Sequence, residues 1–154
     1  MLVADTSAYI NGQRDHYPIG TFPSVWSAVG AAIRGGRIVL PREVYRELEE
    51  QDEEVADWIG NYVDDVVEPV REVQELAGQY QREFETQRAR RNAADPWVLA
   101  EAKHRGFIVI TYEGRSFRGV PTTRWHRSMP GVCQHFGIPC RTLAEALGML
   151  GVSL

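Results

Sequence analysis

The feature that most constrains this chain is a short apolar run near its start, residues 2–4, which ends in Asp5, Thr6 and Ser7. A buried strand of a parallel sheet has this pattern when it delivers a carboxylate to the carboxyl edge of the sheet. Ligands of open α/β sheets bind in the crevice outside those carboxyl ends. We therefore expect acidic residues from later in the sequence to join Asp5 at this edge.

The rest of the chain alternates between strand-like and helical patterns. Residues 37–40 and 107–111 are further apolar runs of strand length, and 138–141 predict a last edge strand. Helical periodicity lies between them, with expected N-caps at Ser24, Asp95 and Thr142. This alternation predicts an α/β fold, a three-layer α/β/α sandwich with a mainly parallel central sheet. At 154 residues, 1–154 are expected to form a single domain.

Composition narrows the class of protein further. No apolar run approaches the roughly 20 residues that a membrane helix needs, and no signal peptide is evident, so we expect a cytoplasmic protein without membrane contact. Cys133 and Cys140 are expected to be free thiols, since with His135 they do not complete a metal-ligand set.

Residues 1–75 hold 15 acidic and 6 basic side chains, whereas residues 76–154 hold 6 acidic and 11 basic side chains. Such asymmetry indicates either one face that meets phosphate or simply acidic helices in contact with solvent.

Four acids stand at or near the ends of these elements: Asp5, Glu47, Asp95 and Glu113. Mg²⁺ prefers oxygen ligands and is usually held by one or two protein carboxylates, water and substrate phosphate. Each acid also has a purely structural interpretation. Asp5 and Asp95 are good N-caps, Glu113 suits a turn, and Glu47 could be a solvated helix carboxylate, with Glu43 as its competitor for the site.

The motifs together resemble the PIN domain, the nuclease fold of the VapC-type bacterial toxins. The matching residues are 2–7, Glu47-Leu48 after a strand and Pro41, 94–100, and 109–111 before an acidic turn. A PIN-like subfamily catalogued by its unknown function looks closest, with parallels at Tyr17-Pro18, Phe22-Pro23, Trp26, 94–97 and 130–137.

The resemblance implies that Asp5, Glu47, Asp95 and Glu113 bind Mg²⁺ or Mn²⁺ and are catalytic, while Thr6 or Ser7 and Thr111 supply hydroxyls. PIN domains more often have Asp at the last acidic position, which makes Glu113 the departure from the pattern. The nucleophile would be a metal-bound water. The resemblance also implies an RNA substrate, a cognate antitoxin protein that blocks the site, and a possible homodimer.

A basic segment follows the last acid of the quartet. Its arginines are interleaved with Phe117 and Trp125, a composition that suits phosphate contact and base stacking on a single strand. The alternative is a solvated loop with Trp125 in the core. The candidate nucleic-acid-binding residues are Arg115, Arg118, Arg124 and Arg127.

The sequence thus predicts a metal-dependent endoribonuclease, the toxin of a type II toxin–antitoxin system. The alternative is a non-catalytic PIN-like module that binds nucleic acid or a protein partner. A phosphatase is disfavoured, because haloacid-dehalogenase-type phosphatases need a second Asp where Ser7 stands.

Overall fold

The computed structural model describes residues 1–62, 66–87, 92–112 and 122–153, with the backbone alone described at 122–124. Within this part of the chain, four parallel strands form one sheet in the order β2-β1-β3-β4. The strands are β1 (Leu2–Ala4), β2 (Ile38–Val39), β3 (Ile108–Thr111) and β4 (Cys140–Thr142). The fold is a three-layer α/β/α sandwich with a parallel central sheet, as predicted.

The helices of the described residues fall between and after the strands. They are α1 (Thr6–Asn11), α2 (Pro23–Arg34), α3 (Arg42–Gln51), α4 (Glu53–Gly60), α5 (Arg71–Thr86), α6 (Asp95–Arg105), α7 (Met129–Phe136) and α8 (Leu143–Met149), with a π-helical segment over Gly12–His16 and a 3₁₀ helix over Thr122–Arg127. No helix in the described ranges is long and apolar enough to cross a membrane.

Strand β1 lies inside the sheet, with β2 on one side and β3 on the other. Leu2 pairs with Ile38 and with Ile108, and Val3 is completely buried. An apolar run without polar alternation is what a strand covered on both faces requires. Asp5 therefore leaves the sheet between two neighbouring strands, where both can position it.

Some helix ends lie where the sequence predicts them, and others do not. Thr142 caps α8, as the sequence predicts, and it also forms a capping box with Glu145. The expected cap at Ser24 is wrong, because α2 begins one residue earlier at Pro23, a residue that suits the first helical position. Gly106 ends α6 in the left-handed conformation (φ 70°) that glycine adopts without steric cost.

Both cysteines are free and buried, in agreement with the sequence.

Candidate carboxylate site

Asp5 is held rigidly at the carboxyl edge of the sheet. It caps α1, its side chain is 2% exposed, and its Oδ1 accepts hydrogen bonds from Ala8 N (2.8 Å) and Ser7 Oγ (2.7 Å). Thr111 Oγ1, at the end of β3, donates to Asp5 Oδ2 at 2.5 Å. Donors that converge on a carboxylate stabilise its charged form. Capping therefore accounts for Oδ1 in part, but it does not account for the bond from a strand 106 residues away.

The residue after Asp5 connects this edge to α3. Thr6 Oγ1 donates to Glu47 Oε2 at 2.7 Å, and both residues are buried. Gln51 Nε2 lies 3.4 Å from the other oxygen, Glu47 Oε1. Glu47 is therefore not a solvated helix carboxylate, and it reaches the element that begins immediately after Asp5.

Glu43, the competing acid on α3, is in a different position. Its Oε1 lies 3.6 Å from the Arg42 guanidinium, and its side chain is 13% exposed. Its Oε2 is buried, with no hydrogen-bond partner among the described residues. Thr6 thus hydrogen-bonds to Glu47 and not to Glu43.

Asp95 is 3% exposed and does not cap α6. The expectation that it is an N-cap is wrong: α6 begins at Asp95 itself, and the preceding Ala94 makes no side-chain cap. Asp95 Oδ2 instead accepts a hydrogen bond from Asn92 N at 3.0 Å. The Asp95 carboxylate is therefore buried at the start of α6, where it holds the backbone of Asn92.

A cleft of about 200 Å³ joins α3 to the start of α6. Glu47 lines it from α3, and Ala94, the neighbour of Asp95, lines it from the other side. We call this the acidic cleft, lined by Glu43, Arg46, Glu47, Glu50, Ala93, Ala94 and Trp97. The structure thus brings Glu47 and the neighbourhood of Asp95 to one cavity.

The hydroxyl residues that the sequence predicts at the site form two hydrogen-bonded groups, with Ser7 and Thr111 at Asp5 and Thr6 at Glu47. Ser7 Oγ donates to Asp5, lies 3.3 Å from Thr111 Oγ1, and accepts a hydrogen bond from Tyr112 N at 3.2 Å. Thr6 serves Glu47 in the same way that Ser7 and Thr111 serve Asp5. The three side chains hold the acids in place, which is the role of supporting groups in metal sites.

Charge at Asp5 also affects a neighbour. Burial, together with the negative charge of Asp5, raises the pKa of the Tyr9 phenol above its ordinary value of 10.0. The Tyr9 hydroxyl is buried and has no hydrogen-bond partner within the described ranges. Tyr9 is therefore a neutral group that packs near the carboxylate.

The donor set fits a hard divalent cation held mainly by water and phosphate. Asp5 and Glu47 are buried carboxylates on adjoining elements, and Mg²⁺ typically takes only one or two protein carboxylates. Among the described residues, which exclude Glu113, no three His, Cys, Asp or Glu side chains form a group that could hold a metal ion.

Part of the predicted site lies outside the described residues. Glu113, Arg115 and Arg118 fall there, as does the side chain of Arg124. Arg127 is exposed at the end of the 3₁₀ helix.

Trp125, which the sequence offered as a base-stacking residue, belongs to the core instead. It is 9% exposed and stacks on His135, with ring centroids 3.8 Å apart and planes 2° apart. The alternative interpretation of this segment, with Trp125 in the core, is therefore correct for this side chain.

Sequence reasoning missed the aromatic neighbours of Thr111. Tyr112 Oη lies 2.9 Å from His16 Nε2, and both residues line a cavity of about 410 Å³ together with Tyr17 and Thr111. Tyr112 directly follows β3, which ends at the site, and this position in the sequence could have identified it as a neighbour of the site.

One known protein family matches nearly the whole chain. Residues 2–154 match the family described as "Domain of unknown function (DUF4411)". The chain belongs to DUF4411. Comparison of this DUF4411 chain with curated protein sequences gives no significant match.

Among solved structures, this DUF4411 protein is similar to a chain of VapBC-1 from nontypeable Haemophilus influenzae. The two chains are 14% identical, the match covers 93% of this chain and 98% of that one, and the TM-score is 0.55. At this identity the likeness establishes the PIN-like fold of the DUF4411 chain.

Proposed function

We propose that this protein is a cytoplasmic, metal-dependent endoribonuclease, with residues 1–154 as a single nuclease domain. The observation that carries the proposal is the buried Asp5 carboxylate, fixed by Ser7 and Thr111 while the adjoining Thr6 fixes Glu47. Burying two carboxylates lowers the stability of the folded chain, even where hydroxyl donors hydrogen-bond to them. Catalysis is a reason to retain such an arrangement.

In this proposal Asp5, Glu47, Asp95 and Glu113 hold Mg²⁺ or Mn²⁺. The metal supplies Lewis acidity and lowers the pKa of bound water, the chemistry needed for phosphodiester hydrolysis. The protein's own part is positioning. Thr111 and Ser7 fix the orientation of the Asp5 oxygens, Thr6 turns Glu47 toward α1, and no proton needs to pass through these hydroxyls.

The substrate proposal depends on the basic segment. Arg115, Arg118, Arg124 and Arg127 would contact backbone phosphates and offset the negative charge of the acidic cleft. The biological proposal, a toxin of a type II toxin–antitoxin pair with a cognate antitoxin and a possible homodimer, is supported by the fold shared with VapBC-1.

The decisive experiment is cleavage of mixed-sequence RNA by the purified chain with Mg²⁺, with Mn²⁺ and with EDTA. We expect cleavage only with metal, and its loss in the variants Asp5→Asn and Asp95→Asn. Asp57→Asn, which changes an exposed Asp on α4, is the matched control and should cleave normally. Cleavage that persists in both folded site variants would overturn the proposal.

The second candidate is a non-catalytic PIN-like module that binds nucleic acid or a protein. Among the described residues, no three His, Cys, Asp or Glu side chains form a group that could hold a metal ion, and this favours the second candidate. RNA binding by the native chain, unchanged by metal and without any cleavage, would establish this function in place of the first.

A further inference from the structure

We propose that the cavity beside Thr111 is a subsite for one nucleobase of the RNA strand, an inference that rests on the proposed function. The cavity, here called the aromatic pocket, has a volume of about 410 Å³. Its lining residues are His16, Tyr17, Thr111, Tyr112, Thr142, Leu143 and Ala144. It opens at the carboxyl ends of β3 and β4, where ligands of parallel sheets bind.

The aromatic pocket touches the carboxylate site through two lining residues, Thr111 and Tyr112. Thr111 lines the pocket, and its hydroxyl donates to Asp5 Oδ2 at 2.5 Å. A phosphate bound at the acids would therefore place an adjacent nucleotide next to the pocket. The acidic cleft and the aromatic pocket would then hold neighbouring parts of one strand.

Its walls offer rings rather than charges. His16 is exposed, Tyr17 and Tyr112 are partly exposed, and the His16 and Tyr112 rings are tilted by 47° with centroids 5.3 Å apart. Because these two rings are not stacked face to face, they do not cover each other's faces. Base–aromatic stacking is the general means by which proteins bind single strands without reading sequence.

The described part of the lining suits a neutral ligand. None of its seven residues is Asp, Glu, Lys or Arg. A cavity of this volume lies within the range of small-molecule sites, roughly 300–1,000 Å³. A neutral planar base with its sugar meets both conditions. The Tyr112 hydroxyl and the His16 ring, which lie 2.9 Å apart, provide polar groups for the base edge.

The test uses the full chain and a fluorescein-labelled 12-nucleotide single-stranded RNA, in EDTA so that a metal-dependent centre cannot cut it. A second series of the same RNA carries one abasic nucleotide at each position in turn. Binding is measured by fluorescence anisotropy at fixed salt. In the native chain, one abasic position should weaken binding about 5- to 100-fold, the range expected for one stacked base.

Three variants separate the pocket from the rest of the protein. Tyr112→Ala should abolish the penalty for the abasic position, while Tyr112→Phe, which keeps the ring, should retain it. Tyr62→Ala is the matched control, because its ring packs on Trp58 outside the pocket and its loss should leave the penalty intact. Circular dichroism checks that each variant folds.

The outcomes distinguish this inference from the proposed function. Metal-dependent cleavage with a flat abasic scan would overturn the base subsite and leave the nuclease standing. A base-dependent penalty that Tyr112→Ala removes, without cleavage in any metal, would support the subsite and overturn the nuclease. A penalty that survives in folded Tyr112→Ala would also overturn the subsite.

Discussion

Replacing Thr111 by Val tests whether the Asp5 carboxylate is held in place for catalysis. The two side chains have nearly the same shape, so the substitution removes a hydroxyl from a completely buried position without opening a large cavity. Asp5 Oδ2 loses its 2.5 Å bond from Thr111, while the bonds from Ser7 and Ala8 to Oδ1 remain.

The expected magnitude follows from the charge on the acceptor. A hydrogen bond to a charged group contributes about 1.5–3 kcal/mol. For a chain of this length, that loss corresponds to a fall in Tm of about 3–12 °C. Loss of a group that orients a metal ligand typically costs about 10- to 100-fold in metal affinity or activity. We therefore expect kcat/KM for RNA cleavage to fall by that factor, and the Mg²⁺ concentration needed for half-maximal rate to rise.

The assays are thermal unfolding in EDTA and initial cleavage rates across a Mg²⁺ titration. Thr111→Ser, which keeps the hydroxyl, should recover most of the activity. Thr86→Val is the matched control, since its hydroxyl bonds to the Arg82 carbonyl on the exposed side of α5. A folded Thr111→Val protein with native rate and native Mg²⁺ dependence would refute the positioning argument.

Three more perturbations have defined outcomes. Asp5→Asn should lower the unfolding free energy in EDTA by on the order of 1 kcal/mol, because the hydrogen bonds from Ser7 and Thr111 are then made to a neutral amide, although Asn still caps α1; thermal unfolding measures it. Tyr9→Phe should stabilise the protein by about 1 kcal/mol in urea unfolding at pH 7, because it removes a buried hydroxyl without a partner in the described structure. Thr6→Val should lower RNA cleavage about 10-fold or more, measured at saturating Mg²⁺, because Glu47 loses the donor that orients it.

Tyr9 also makes the folding stability of the chain depend on pH. Its pKa is raised in the folded state, so the phenol of the unfolded chain ionises first as the pH passes 10.0. Folding stability from this group is complete below pH 10 and falls above it, by up to about 1.4 kcal/mol per pH unit. Urea unfolding between pH 9 and 11 should therefore show a shallower decline in Tyr9→Phe than in the native chain.

Contrary results are equally clear. A higher melting temperature for Asp5→Asn in EDTA would mean that repulsion between the acids outweighs the hydrogen bonds to the Asp5 carboxylate. Identical alkaline slopes for Tyr9→Phe and the native chain would place the titrating groups elsewhere. Full activity of Thr6→Val would remove Glu47 from the site or show that Thr6 does not orient it.

The parts of the fold that depend on local patterns were predictable. A run such as Leu2-Val3-Ala4 can be buried only as an inner strand, and the polar residues after it must then lie at the sheet edge. Thr142 with Glu145 is a capping box in sequence and in structure. These features need no knowledge of distant residues.

The contacts that define the site were not predictable in the same way. Thr6 meets Glu47 across 41 residues, and Tyr112 meets His16 across 96, so neither pair leaves a mark in any short window. For Asp95, the local sequence pattern led to a wrong prediction. Its position before Pro96 favours a cap, but the buried environment leaves the carboxylate directed to Asn92 N.

The position of β1 inside the sheet has a consequence for how the protein matures. Asp5 leaves the ribosome 106 residues before Thr111, the donor that fixes its second oxygen. A nascent or truncated chain that stops before β3 therefore carries the acid without the strand that orients it. Until synthesis has passed β3, the emerged polypeptide lacks the donor that completes the hydrogen bonds of the Asp5 carboxylate.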